Sequence, residues 1–532
     1  MLTFKRFHKY GRIGNQLWEL SFLIMMRIKH GIDYQIPKWD YAKFFKGDFH
    51  EVDQISEETI EAKEPKFEYS PEYVADLKNR AQGASVDVVA YVQSVKYWWD
   101  IKEQILDYLE FTDDILETVR PEMDKYLQTE IDGSYRNNCA IHLRFGDYVG
   151  NDNYVQLTPA YYLSLIDRIK QDNPSVKFFI FSDDEGRARF HFKCLPDVSF
   201  EFGKMSEIEH LAVMSHCDYF ILANSSYSFW GAFLAQRNCP YETTVYYPDK
   251  VFNGRLATQA SEVDMWPPDW TPWPIKAKVV MRDCTFIIPI TYDSEDRYEN
   301  YKLVVKYLRH YFDTNIIIGE HGAEAFKQSA ANNGCEYMHW TGEHFHRTRF
   351  LNDMTEAGKT KYVCNLDADV LFTPAQIFEA VRMLRNGLDL VYPYDEAFVR
   401  LDRKKWYDPI RKSLSLDPLL QSYDGGSPPG YNPSVGGAVF FEKDAYWRMG
   451  GENENFVSFG PEDACRYRRA KVLGLKIGRV VGKLYHMNHW CGENSSSEND
   501  NFERNENEWK RVKYMTKKEL REYVNSWLWV RK

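Results

Sequence analysis

Two aspartates one residue apart, Asp367 and Asp369, follow the apolar run Tyr362-Val-Cys-Asn-Leu366. Carboxylates at the end of a buried strand can share a divalent ion. Oxygen ligands suit Mn²⁺ or Mg²⁺, and such an ion neutralises charge on a departing diphosphate. A bare Asp-x-Asp is mostly a solvated turn, and the apolar strand before it is what makes this one a candidate site. Downstream, Phe459-Gly-Pro-Glu-Asp463 opens a helix over 462–472. Its acidic pair suits the helix dipole, and Asp463 is also placed to deprotonate a hydroxyl, with Glu462 positioning it. Leu484-Tyr-His-Met-Asn-His-Trp490 offers His486 and His489. One imidazole can complete a metal shell, although an isolated histidine is more often structural. Gly436-Gly-Ala-Val-Phe-Phe441 reads as a glycine-led strand in which Gly437 admits close approach of a ligand.

A second set of polar residues sits in the N-terminal half. Gly11-Arg-Ile-Gly-Asn-Gln16 precedes an apolar helix over 17–27, and Gly14 and Asn15 stand at its opening. Backbone N–H groups there can cradle phosphate or a sugar. Ile141-His-Leu-Arg-Phe-Gly-Asp-Tyr148 reads as a strand whose tip presents Arg144 and Asp147. A guanidinium there can grip a diphosphate bidentately, or simply pair with the aspartate. Ile221-Leu-Ala-Asn-Ser-Ser-Tyr-Ser-Phe-Trp-Gly231 places Asn224, Ser225 and Ser226 between strand and helix. These are ordinary helix caps, and they also set hydroxyls where a diphosphate would bind.

Alternating elements must position these residues. Strands are expected at 139–143, 177–181, 219–222 and 244–247, with helices at 159–171, 207–216 and 229–236. Further strands are expected at 285–290, 314–318, 361–366 and 388–391, with helices at 296–312, 322–332, 346–357 and 374–385. The βαβ alternation predicts an α/β fold with parallel sheets, and ligands beyond the carboxyl ends of strands. Residues 494–507 read as an exposed loop, and 516–527 as a closing helix. Met265-Trp-Pro-Pro-Asp-Trp-Thr-Pro-Trp-Pro274 forbids helix and interrupts any ladder. It sets the expected division: a first domain over 1–264, a Pro/Trp-rich linker over 265–282 and a second domain over 283–532.

With 532 residues, two or three domains are expected. A net charge of −11 and the absence of any Lys/Arg-rich run argue against a nucleic-acid partner. Nine cysteines without a CxxC pair read as reduced thiols. The chain has neither a secretory leader nor an apolar stretch of membrane-spanning length, so no membrane span and a cytoplasmic location are expected.

The N-terminal motifs, with Phe181-Ser-Asp-Asp184, resemble the α1,2-fucosyltransferases in order and spacing across most of residues 8–250. The resemblance implies a GT-B-like architecture of two Rossmann-like halves, GDP-fucose as donor, inversion and no essential metal. It implies donor contacts from Gly14, Asn15, His142, Arg144, Asp183, Asn224, Ser225 and Ser226. Asp147 and Asp183 both stand as candidates for the general base. Phe145 occupies a position where the family commonly has a second arginine. The C-terminal half resembles the metal-dependent GT-A enzymes of the β-galactosyltransferase and N-acetylgalactosaminyltransferase group. The resemblance runs from Ile287-Ile-Pro-Ile290 through Phe345-His-Arg-Thr-Arg-Phe-Leu-Asn352 to Gly460-Pro-Glu-Asp463. It implies that Pro289 flanks a uridine pocket, that Arg347 and Asp367 serve the donor, that Asp369 and His486 ligate the metal, and that Asp463 is the base. Phe459-Gly-Pro461 replaces the family's Trp-Gly-Gly.

Together these imply a bifunctional enzyme. It would use a UDP-hexose, plausibly UDP-galactose, with Mn²⁺ (or Mg²⁺), use GDP-fucose without a metal, and build a fucosylated glycan on a glycan or glycoconjugate acceptor. Two other readings stay open: one active module beside a degenerate glycan-binding one, and a sugar-binding protein without catalysis.

Overall fold

The structure of the chain, a computed structural model, describes residues 1–9, 11–239, 243–323, 334–395, 398–420, 434–490 and 499–530. It divides into two compact units. The first comprises Met1–Arg189 and Pro196–Ala277, and the second Phe190–Leu195 and Lys278–Lys532.

Two all-parallel sheets build the first unit. One runs in the order Glu51–Val52, Tyr34–Pro37, Leu2–Thr3, Val86–Val89, Ile60–Lys63. The other runs Thr271–Trp273, Thr244–Pro248, Tyr219–Ile221, Asn138–Leu143, Lys177–Ser182, Val198–Ser199. Helix Ile13–His30 is apolar on nearly every side and is buried from Gln16 to Met26. It ends at Gly31, whose φ of 67° closes the last turn. Trp18 of this helix packs against Trp98, Phe229 and Trp230 at ring-centroid distances of 5.4, 4.4 and 5.5 Å. The helix starts earlier than the apolar run suggests, so Gly14 and Asn15 lie inside its first turn.

The expected linker over 265–282 is not one. Met265, Trp266 and Trp270 are buried in the core of the first unit, and Thr271–Trp273 is an edge strand of its second sheet. The prolines do forbid helix, but at a sheet edge Pro272 costs no inner ladder bond, and the indoles find apolar cover.

The second unit carries a seven-stranded sheet in the order Glu336–Trp340, Phe312–His321, Val279–Thr291, Tyr362–Leu366, Ala438–Glu442, Leu390–Tyr392, Ile477–Arg479. The expectation of parallel sheets fails at one strand. Ala438–Glu442 runs antiparallel to both neighbours, so this sheet is mixed. A small sheet of Val370–Leu371, Leu484–Met487 and Phe398–Leu401 follows the Asp367–Asp369 turn. The helix expected over 322–332 falls outside the described residues apart from Gly322 and Ala323.

Of the loop expected over 494–507, residues 494–498 are outside the described ones. Phe502–Lys513 is a helix. Its Asn505 is fully buried and donates to the carbonyls of Val457 and Phe459 at 2.7 and 2.9 Å. A segment rich in Asn and Glu therefore serves as a clamp on the turn before Glu462. The helix Lys517–Asn525, opened by a Thr516–Glu519 capping box, covers an apolar cluster with Phe456, Cys465 and Val512. Among the described residues, no helix is long and apolar enough to cross a membrane.

Candidate functional sites

In the first unit, strand Asn138–Leu143 ends at Arg144 and strand Lys177–Ser182 ends at Asp183. The Arg144 guanidinium donates to Asp183 Oδ2 at 2.6 Å and also pairs with Asp147. Asp183 Oδ1 accepts from the Phe145 N–H at 2.8 Å, so this carboxylate locks the strand tip. Beside them, helix Ile13–His30 and helix Ser226–Asn238 bring their N-termini together. Asn15 Oδ1 accepts from Ser226 Oγ at 2.6 Å and from Gln93 Nε2 at 3.0 Å. A Cβ on Gly14 would lie 2.6 Å from the Tyr227 nitrogen, so only glycine permits this approach.

These residues line one cavity of about 620 Å³. Gly14, Asn15, His142, Arg144 and Asp147 meet there with Asp183, Asn224, Ser225 and Ser226. Every N-terminal residue singled out in the sequence thus reaches the same space. Some have other work. Asn224 is buried and donates to the carbonyls of Val155 and Val251 at 2.9 and 3.3 Å. Ser225 caps the helix by accepting from the Tyr227 N–H. His142 meets Ser228 Oγ at 2.9 Å, and its pKa is pulled down to about 3 by burial and then by the charges of Arg144 and His210. It stays neutral. Gln93, Glu207 and His210 also line the cavity, and no local motif marks them.

In the second unit, the turn after Tyr362–Leu366 separates its two aspartates. Asp367 takes the Arg347 guanidinium at 2.6 Å. Asp369 faces His489 Nε2 at 2.9 Å and His486 Nε2 at 3.6 Å. The expectation that the two aspartates share one ion is therefore corrected. Among the described residues, the set able to hold a metal is Asp369, His486 and His489, with ligand atoms within 4.8 Å of one another. The turn that follows Leu366 leaves Asp367 on the Arg347 guanidinium instead. His489 is the ligand that the assignment of His486 alone misses.

Arg347 also reaches Glu462 at 3.5 Å and Asp463 at 3.6 Å. Asp463 Oδ1 accepts from Arg466 at 2.7 Å, and its Oδ2 lies 2.6 Å from where a Cβ on Gly436 would be. A side chain at 436 would therefore displace this oxygen. At Gly437 the demand for glycine comes from a φ of 81° and the Leu484 side chain, so no ligand is needed to explain that residue. Pro289 is buried on Val279–Thr291, just past the last pairing with Tyr362–Leu366 at Ile287↔Asn365.

The charges in this centre are uneven. Burial, then the neighbouring charge of Asp463, pushes Glu462 up to about 8. Its Oε2 is buried without a hydrogen-bond partner, as suits a neutral carboxyl. Burial pushes Asp463 the same way, but Arg466 and Arg347 outweigh it and hold this carboxylate below its usual range. Burial also dominates at Asp367 and raises it against the pull of Arg347.

The donor set suits a metal. His489 Nδ1 lies 2.6 Å from the Trp490 carbonyl, which fixes the proton there and leaves Nε2 as ligand. Arg297 approaches the same Nδ1 at the longer distance of 3.4 Å. His486 Nδ1 is buried without a hydrogen-bond partner. Two imidazoles and one carboxylate fit Mn²⁺ better than Mg²⁺, which prefers all-oxygen shells.

Residues 5–271 match the family model described as glycosyl transferase family 11, and residues 422–490 match one described as the N-terminal domain of galactosyltransferase. An alpha-1,2-colitosyltransferase of Escherichia coli is 29% identical over 177 residues, covering 32% of this chain and 57% of that protein. The O-antigen biosynthesis glycosyltransferase WbnK of Escherichia coli is 28% identical over 173 residues, covering 31% and 54%. The chain thus spans a little over half the length of these curated relatives. The catalytic domain of Drosophila β1,4-galactosyltransferase 7 in complex with xylobiose overlays at a TM-score of 0.24 and 15% identity, covering 37% of this chain and 64% of that one. Glucosyl-3-phosphoglycerate synthase from Mycobacterium tuberculosis, with Mn²⁺, UDP-glucose and phosphoglyceric acid, overlays at 0.26 and 14% identity, covering 39% and 73%.

Proposed function

The chain belongs to glycosyl transferase family 11, whose model matches residues 5–271, and from that premise we propose a bifunctional glycosyltransferase with one active centre in each unit. The first unit, read as GT-B-like from its two parallel sheets, transfers fucose from GDP-fucose. The second, read as GT-A-like, transfers a hexose, plausibly galactose, from a UDP-sugar. The observation that carries this reading is the convergence of nine residues from four separate stretches of chain on one cavity in the first unit. The Asp369–His486–His489 set beside Asp463 supports the second centre.

In the first unit Arg144 and the two helix openings hold the diphosphate, whose charge grows as the sugar departs. Of the carboxylates that line the cavity, Asp147 and Asp183 at the strand tips are the ones assigned to proton removal. In the second unit Asp369, His486 and His489 would hold Mn²⁺, which when bound neutralises charge on the diphosphate. Asp463 takes the proton of the acceptor hydroxyl, whose oxygen then attacks the anomeric carbon opposite the leaving UDP, with inversion. Arg347 and Asp367 bound the donor side, and Glu462, protonated at neutral pH, is able to donate a hydrogen bond to the substrate.

The two reactions act in order: hexose first, then fucose onto it. Holding both centres on one chain raises the effective concentration of the intermediate. The test supplies acceptor with GDP-fucose alone, UDP-galactose alone, or both. Fucose incorporation only when both donors are present supports the order. Fucose transfer to the starting acceptor without UDP-sugar overturns it.

A further inference from the structure

Asp463 would serve poorly as a base if its carboxylate were free to turn. Within the second unit it is gripped on one oxygen only. Oδ1 accepts from Arg466 Nη2 at 2.7 Å and faces Arg347 at 3.6 Å, while Oδ2 accepts nothing from the described residues. Arg466 is itself immobilised, with a side chain 2% exposed. Its Nη1 donates to Glu452 Oε1 at 2.8 Å and its Nη2 to the Val435 carbonyl at 3.0 Å. Glu452 is wholly buried. Its Oε1 also accepts from Asn365 at 3.1 Å, on the strand that ends at Asp367, and its Oε2 lies 3.8 Å from Arg469. A continuous buried chain therefore runs Asn365–Glu452–Arg466–Asp463.

We propose that Arg466, braced by Glu452, is the positioning residue for Asp463: one guanidinium spans two carboxylates and leaves Asp463 Oδ2 aimed at the acceptor hydroxyl. The inference rests on the reading of Asp463 as the base. A lysine cannot do this work, because a single ammonium does not present a planar fork to two partners. Proximity alone does not account for the arrangement either. A buried carboxylate such as Glu452 is costly unless paired, and its pairing consumes part of the guanidinium charge that would otherwise fall on Asp463. Glu452 thereby moderates how acidic the base becomes. The other charged or titratable groups facing Asp463 are Arg347, Asp367 and Glu462, with Tyr392 and Tyr394 across the sheet.

The experiment uses the full chain with Mn²⁺ and follows UDP release from UDP-galactose, UDP-N-acetylgalactosamine or UDP-glucose, whichever is fastest, across pH. Asp463→Asn is expected to lose about a hundredfold or more at every pH. Arg466→Gln is expected to lose about tenfold and to move the acid limb up by roughly one pH unit, because an arginine beside an aspartate lowers its pKa by about that much. Glu452→Gln is expected to move the acid limb the opposite way. Residues with a merely structural role would lower the rate without opposite shifts of the limb. Arg466→Lys, which keeps the charge, is read in place of Arg466→Gln if the latter does not fold, and is expected to lose rate with a smaller shift. An inactive Asp463→Asn beside Arg466 variants with unchanged rate and limb overturns the positioning role alone. An Asp463→Asn with full activity, or a parent chain that releases UDP from none of the donors, overturns the base assignment on which it rests.

Discussion

Each unit centres on an arginine held between carboxylates, but the two arginines sit in different company. Arg144 lies between Asp183 and Asp147 at the mouth of a roomy cavity, beside two helix N-termini. Arg347 lies among Asp367, Glu462 and Asp463, one turn of chain away from a metal-capable set. On the proposed reading, the first centre sets helix N-termini and two arginines, Arg144 and Arg12, around a diphosphate. The second pairs its arginine with its own carboxylates, and on the proposed reading the diphosphate falls to an ion at Asp369, His486 and His489. The proposed reading thus gives one electrostatic task to two kinds of positive charge, and chelation is the simplest way to tell them apart.

The largest effect is therefore expected at Asp369. Asp369→Ala, or a chelator, should lower UDP release from a UDP-sugar by at least about a thousandfold, since a metal ion supplies several kcal/mol of charge stabilisation. GDP release from GDP-fucose should be unaffected by either treatment. Equal loss of both activities would break the comparison.

Arg144→Ala is expected to act in the mirror sense. GDP-fucose turnover should fall by about a hundredfold to a thousandfold, the usual cost of removing a preorganised charge or donor. UDP-sugar turnover should stay at the parent level. If fucose transfer survives the substitution, Arg144 is not the charge that holds the donor.

What the sequence revealed and hid follows the same line. The strand-end residues Arg144 and Asp369 and the helix-opening Asp463 were legible because short apolar strands and a glycine or proline turn mark them locally. Asp183 and His489 are also named by local motifs, but the pairings that join these residues were not legible. Asp183 locks the Phe145 N–H, His489 completes the Asp369 set, and Glu452 braces Arg466, each across a long stretch of chain that only tertiary packing closes. The antiparallel entry of Ala438–Glu442 was hidden for a related reason, since an apolar strand reads alike in either direction. Trp266 and Trp270 were misjudged because proline content reports on helix, not on burial.

The units also differ in how they bury acid. The second pairs Glu452 with arginines, whereas the first leaves Glu19 buried with neither carboxyl oxygen hydrogen-bonded. Nearby, burial pushes Glu64 from 4.5 up to about 7, against the hydrogen bonds it accepts from the Tyr91 and Val92 N–H groups. A carboxyl raised on folding binds its proton more tightly in the folded state. Its contribution is complete below about pH 4.5 and is lost as pH rises through about 7. Glu64→Gln keeps an acceptor for both N–H groups and carries no charge. It should match the parent at pH 4.5 and exceed it at pH 8 by on the order of 2–3 kcal/mol, read from thermal unfolding at the two pH values. A constant difference between the variants across that range would remove Glu64 from the account.

The smallest expected effects separate two glycines that look alike by distance. A Cβ at Gly14 and a Cβ at Gly436 would each meet an atom at 2.6 Å. At Gly14 that atom is the Tyr227 backbone nitrogen, so helix Ile13–His30 must move off helix Ser226–Asn238 as a body. At Gly436 it is Asp463 Oδ2, the outer oxygen of a carboxylate held through its Oδ1, so a side chain must tilt rather than a backbone move. Gly14→Ala should therefore lower the stability of the first unit by about 2 kcal/mol, as overpacking does. Gly436→Ala should leave thermal unfolding unchanged and lower UDP-sugar turnover about tenfold, or about 1.4 kcal/mol at the transition state. The contrast matters because displacing Asp463 Oδ2 is the mildest perturbation available to the proposed base. If Gly436→Ala destabilises the fold but spares turnover, Oδ2 is not the oxygen that faces the acceptor.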